Sequence, residues 1–181
     1  MAYPSSMPTR NFILRYKGLF DFDGLYNTMV QYLKANRYWF HEYKYKHKVP
    51  SPLGAEQEIF WKGEKKITEY IQYRILVAFH LWEVTEVEVV QKGVKKTLTN
   101  ARMEIQLRGW MDIDYEKRYE TSTFLQNLKD FYNKYIVRRE LESIYWDTLH
   151  YRCQKFLSVI KDYLDMQAKG YEYRGYLGDN V

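Results

Sequence analysis

Between residues 103 and 116 the apolar side chains fall on every second position. Met103, Ile105, Leu107, Met111, Ile113 and Tyr115, with Gly109 among them, face one way; Glu104, Gln106, Arg108, Trp110, Asp112, Asp114 and Glu116 face the other. Period two is the mark of a strand with one buried face. The same alternation predicts strands over 12–17, 39–49, 56–61 and 67–89. Pro50, Ser51, Pro52 and Gly54 predict a turn, and Lys62, Gly63 and Glu64 a hairpin, since glycine tolerates the backbone that tight turns require. Along the fourth strand the alternation slips between Glu83 and Glu86, as a β-bulge would make it.

Helical spacing appears twice. Phe22, Leu25, Tyr26, Met29 and Leu33 share one face of a helix that Asp21 or Asp23 caps and that ends near Tyr38. From Thr121 onward no Gly or Pro intervenes until Gly170, which predicts a long C-terminal helical region. Its apolar stripe jumps. Leu125, Leu128, Tyr132, Tyr135 and Ile136 form one line, whereas Leu141, Ile144, Tyr145 and Thr148 lie nearly opposite at 100° per residue. Either the helix kinks near 138–142, or a straight arm of roughly 45 residues, about 70 Å long, reaches past the sheet. The expected class is α+β: a curved antiparallel sheet of about five strands, one inserted helix and a long C-terminal helical region. Residues 1–10 read as a flexible arm, 11–168 as a single domain and 169–181 as a flexible tail.

Composition narrows the function classes. A chain of 181 residues buries about 70% of its unfolded surface, so it needs no disulfide or metal to fold. Cys153 is the single cysteine and no signal-peptide pattern opens the chain, which points to the cytoplasm. The apolar runs are too short for a transmembrane helix. The net charge of +5 is spread among 28 basic and 23 acidic residues. Tyrosine, at 19 residues, is the sharper departure, and it suits strand surfaces and interfaces.

Candidate chemistry is sparse. His41 and His47 stand six positions apart on one strand, about 20 Å, and His80 with Glu83 or Glu86 lacks ligand spacing. Asp112, Asp114 and Glu116 read as a solvated strand face, and Cys153 as a core residue on the last helix. No nucleophile elbow or phosphate loop is present. The expectation is a non-enzymatic protein with no cofactor, no metal set and no catalytic residue. It associates with itself or docks a protein through Leu141, Ile144, Tyr145 and Leu149. Lys44, Lys46 and Lys48, with Lys92, Lys95 and Lys96, form a candidate anion-binding group for RNA or single-stranded DNA.

The order strand, helix, several antiparallel strands and long closing helix, from Phe12 to about Leu164, resembles the helix-grip fold of START and polyketide-cyclase-type domains. One helix, rather than two, follows the first strand here. The resemblance implies an apolar ligand in a cavity lined by Ile71, Tyr73, Ile75, Val77, Met103, Ile105, Leu107 and Met111 on the sheet. Leu125, Leu128 and Tyr132 would face them, with Gly109 leaving room. The stretch 49–58 is also similar to uncharacterised archaeal proteins, which implies no activity.

Overall fold

The structure, a computed structural model, describes residues 3–51, 54–91 and 94–166. It is α+β, with an open antiparallel sheet of six strands: β1 (Ser6–Pro8), β2 (Phe12–Phe20), β3 (Trp39–Ser51), β4 (Gly54–Lys66), β5 (Ile71–Gln91) and β6 (Val94–Ile113). Helix α1 (Phe22–Ala35) links β2 to β3. After β6 come α2 (Thr123–Phe131), a π turn (Tyr132–Ile136), the short α3 (Arg138–Glu140), a second π turn (Leu141–Trp146) and α4 (Asp147–Tyr163).

The four long strands β3 to β6 form a meander, and β1 and β2 share the free edge of β6. The N-terminal segment is therefore not a frayed arm throughout: Ser6–Pro8 pairs with 110–112 of β6. Proline is tolerated there because an edge strand leaves some of its N–H groups without ladder partners. Between β1 and β2 the chain steps over Gly109. Thr9 N–H donates to the Gly109 carbonyl at 2.8 Å, and Gly109 N–H donates to Thr9 Oγ1 at 2.9 Å. A threonine hydroxyl thus completes the ladder where the register breaks, which is why Thr9 is buried.

The predicted slip in β5 is present. Its register with β6 shifts between Trp82 and Thr85, and Glu83 takes a φ of 58°. The predicted hairpin at Lys62, Gly63 and Glu64 is not. β4 runs straight through Gly63, which pairs with Phe40 on one side and Ile75 on the other. A Cβ at Gly63 would meet Leu33 Cδ2 at 3.6 Å and Tyr38 Cβ at 3.7 Å, ordinary contact distances, so neither a turn nor lack of room calls for glycine here. The reversal falls at Thr68, whose Oγ1 accepts from Tyr70 N–H at 3.1 Å and Ile71 N–H at 2.9 Å.

The core lies between one sheet face and two helices. α1 is capped by Asp21, which accepts from Gly24 N–H at 2.9 Å, and it buries Leu25, Met29, Val30 and Leu33. It ends at Ala35, earlier than the spacing predicts, because Arg37 turns left-handed at φ 61°. α4 buries Leu149, Cys153, Phe156 and Ile160 against β6 and α1. It comes close over Gly109, where a Cβ would stand 3.0 Å from Cys153 Sγ and 3.1 Å from Leu149 Cγ.

Candidate docking site on the C-terminal helical region

The C-terminal region is two helical segments, not one arm. Val137, at φ −102° and ψ 4°, separates them, one residue before the predicted kink. On either side the turns widen to π geometry, as in the 3.0 Å bond from Val137 N–H to the Tyr132 carbonyl. Each π turn adds a residue to a helical turn and so rotates everything beyond it. This shift decides which stripe meets the sheet.

The stripe predicted to be free is mostly core. Leu141 is 2% exposed and Leu149 is fully buried; Tyr145 is half-buried, and its carbonyl accepts from Tyr73 Oη at 2.6 Å. Of the four residues assigned to a partner, Ile144 alone is exposed. The stripe predicted to pack is the free one. No residue of α2 is buried, and Phe124 (72% exposed), Leu128, Phe131, Tyr135 (66%) and Ile136 (60%) face outward. Phe124, Leu128, Phe131 and Tyr135 are spaced by four, three and four residues, the interval of a helix–helix seam.

At the root of this face is a cleft of about 540 Å³ lined by Tyr70, Asp114, Tyr119, Leu128, Lys129 and Ile136, among others. Asp114 does not lie on a solvated strand face. The strand stops at Ile113, Asp114 turns left-handed at φ 54°, and it is 4% exposed. Its carboxylate accepts from Lys129 Nζ at 3.1 Å and from Arg118 N–H at 2.9 Å, so the buried charge is paired. Beside it Tyr70 Oη donates to Oδ1 of the buried Asn133 at 2.8 Å. Burial pushes the Tyr70 hydroxyl up to about 12, against the opposing effect of that hydrogen bond. It remains a donor at neutral pH. These pairs anchor α2 to the sheet end through polar groups and leave its apolar side chains uncovered.

The cavity predicted from the helix-grip resemblance is not assembled from its predicted lining. Ile71, Tyr73, Ile75, Val77, Met103, Ile105, Leu107 and Met111 are all buried in the core, and Cys153 and Leu149 occupy the room at Gly109. Leu125 is half-buried, while Leu128 and Tyr132 are exposed and line the outer cleft.

The basic group is divided too. Lys46 pairs with Glu58 at 3.6 Å, Lys48 with Glu56 at 2.8 Å and Lys96 with Asp21 at 2.6 Å. Lys44 lies over the Phe60 ring at 4.9 Å. Lys95 is exposed, and Lys92 lies outside the described residues. β3 and β6 are separated by two strands, roughly 14 Å between strand axes, so the two sets do not form one patch.

One cluster escaped sequence reasoning. His80 on β5 faces β4, where Glu56 and Glu58 share its side of the sheet, and the ligand atoms of all three lie within 4.8 Å of one another. His80 Nε2 is 2.6 Å from Glu56 Oε1. The signal was available as the i, i+2 pair Glu56 and Glu58 once β4 is placed beside β5. Lys48 Nζ already stands 2.8 Å from Glu56 and 3.9 Å from Glu58, and it holds the Glu56 carboxyl below its ordinary range, with His80 acting in the same direction. The cluster is an ion-pair network across the strands. Among the described residues no helix is long and apolar enough to cross a membrane. No protein-family model matches the chain, and no curated protein matches it.

Proposed function

We propose that the chain is a non-enzymatic binding subunit that pairs with a second copy of itself through α2 and the π turn after it. The observation that carries this reading is the exposed seam Phe124, Leu128, Phe131 and Tyr135, continued by Ile136. Apolar side chains grouped in this way on a helix with no buried residue mark an interaction surface. A helix is the partner that the four-three-four spacing fits, and α2 of a second copy supplies the same seam in isologous packing.

The area is of the right order. Aromatic side chains bury ~150–250 Å² each, so three of them at half to three-quarters exposure, with Leu128 and Ile136, come to on the order of 500 Å². A standard interface needs about 800 Å² per partner, within reach once the rim contributes. The pairing of Lys46, Lys48 and Lys96 with carboxylates speaks against nucleic acid on the predicted lysine group. A second reading, an apolar small molecule, is favoured by the cleft beside α2 rather than by the filled interior of the helix-grip comparison.

Sedimentation velocity from low to high micromolar concentration tests the proposal. The wild type shifts toward a dimer, and Phe131→Glu and Tyr135→Glu remain monomeric with unchanged circular dichroism. A wild type that stays monomeric throughout would refute self-association.

A further inference from the structure

His80 stands in a row across three strands, with Glu58 of β4 on one side and Glu104 of β6 on the other. Glu56, two residues before Glu58, points to the same face. This is the outer face of the sheet, since the neighbouring Ile59, Phe79 and Ile105 all face the core. Glu56, Glu58 and His80 are half-buried. Among the described residues they are the one set of three histidine, cysteine or carboxylate ligands whose donor atoms all come within 4.8 Å of one another. A pocket of about 220 Å³ opens beside them, lined by Glu58, Phe60, His80, Glu104 and Gln106 among others.

A cation already sits at the mouth of this set. Lys48 Nζ lies 2.8 Å from Glu56 and 3.9 Å from Glu58, a positive charge between two carboxylates that would otherwise repel. Its side chain is exposed and its four-carbon stem flexible, so it can swing away into water. The ammonium serves the two carboxylates, while His80 Nε2 turns to Glu56 at 2.6 Å. A metal ion in the place of the ammonium would take all three donors at once.

We propose that Glu56, Glu58 and His80 bind a divalent transition ion of the zinc class, displacing Lys48. One imidazole with two carboxylates suits zinc, whereas calcium and magnesium take oxygen ligands. Ligand atoms on a tetrahedral zinc stand about 3.4 Å apart at bond lengths of ~2.0–2.2 Å, so donors within 4.8 Å close on the ion by side-chain rotation, with the paired strands unmoved. His80 then carries its proton on Nδ1, and Nε2 exchanges the Glu56 hydrogen bond for the ion. Three protein ligands leave a fourth position, for which the neighbouring pocket gives a water room. His80 lies nine residues, roughly 30 Å, along β5 from Ile71 and the α2 cleft, so the site is independent of self-association.

The test is calorimetric titration of the full chain with zinc chloride in excess magnesium chloride, in parallel with quenching of indole fluorescence by cobalt(II). His80 stacks on Trp82 at 3.8 Å between ring centroids, so an ion on Nε2 quenches that indole, and Trp82→Phe loses the saturable part of the quenching. One zinc per chain is expected, with half-saturation in the micromolar range. His80→Ala and Glu58→Gln should each raise Kd about tenfold or more, and His41→Ala, outside the set, should leave it unchanged. Lys48→Ala removes the competing ammonium from an exposed position that the fold does not need, and it should tighten binding several-fold. Heat and quenching that do not saturate below about 1 mM metal, or binding that survives His80→Ala unchanged, overturn the site. Weaker binding in Lys48→Ala would equally contradict displacement of the ammonium.

Discussion

Asp21 is one carboxylate with three tasks: it caps α1 through Gly24 N–H, accepts a 2.6 Å ion pair from Lys96, and contacts the Tyr163 hydroxyl. The Lys96 ion pair, and after it the Gly24 bond, hold its carboxyl below the ordinary range. A depressed folded-state value means that the stabilisation is complete above the unfolded carboxylate range and is lost as pH falls through the depressed value. Asp21→Ala should cost about 1–2 kcal/mol at pH 7 in urea unfolding, and less at pH 3. Asp21→Asn keeps an N-cap acceptor and should weaken the acid dependence more than the neutral stability. Gly109 offers a second residue-scale test. An added methyl would meet Cys153 Sγ at 3.0 Å and Leu149 Cγ at 3.1 Å, so Gly109→Ala should cost about 1–3 kcal/mol, with partial recovery in Gly109→Ala, Cys153→Ala. Burial pushes the Cys153 thiol up to about 12, and the native protein should react with thiol reagents only at its unfolding rate. Both inner-face positions were legible from the alternation and the helical spacing. The chain pattern does not reveal that they touch, because contact between strand and helix depends on tertiary placement.

At the scale of elements, the two stripes of the C-terminal region exchange the roles that an ideal helix assigns them. Two single substitutions separate the accounts. Leu149→Ala empties a fully buried site and should cost about 2–5 kcal/mol, whereas Phe131→Ala should change monomer stability by no more than about 0.5 kcal/mol. Equal effects in thermal unfolding of dilute protein would show that α2 packs on the core after all. The strands, the bulge at Glu83 and α1 were readable because period two and period 3.6 survive as long as the backbone is regular. The phase of the segment Leu141–Trp146 was not, since the π turns change the residues per turn without a Gly or Pro to announce them. Gly63 misled for another reason: a glycine between charged residues reads as a turn, whereas β4 runs on through it because Phe40 and Ile75, distant in sequence, pair with it on either side. Ser6–Pro8 was hidden because three residues carry too little alternation, and the strand exists only against β6.

For the molecule as a whole, the sheet encloses its core on one side, while its end carries a helix fastened by the Asp114–Lys129 and Tyr70–Asn133 pairs and left apolar outside. Such an end is stable in water when another surface covers it. Native mass spectrometry addresses this most directly, since it reports stoichiometry and any retained small molecule in one spectrum. The account predicts a dimer for the wild type and a monomer for Phe131→Glu, neither carrying extra mass in the cleft. A wild-type monomer that retains an apolar ligand would contradict it and assign the cleft beside α2 to that ligand.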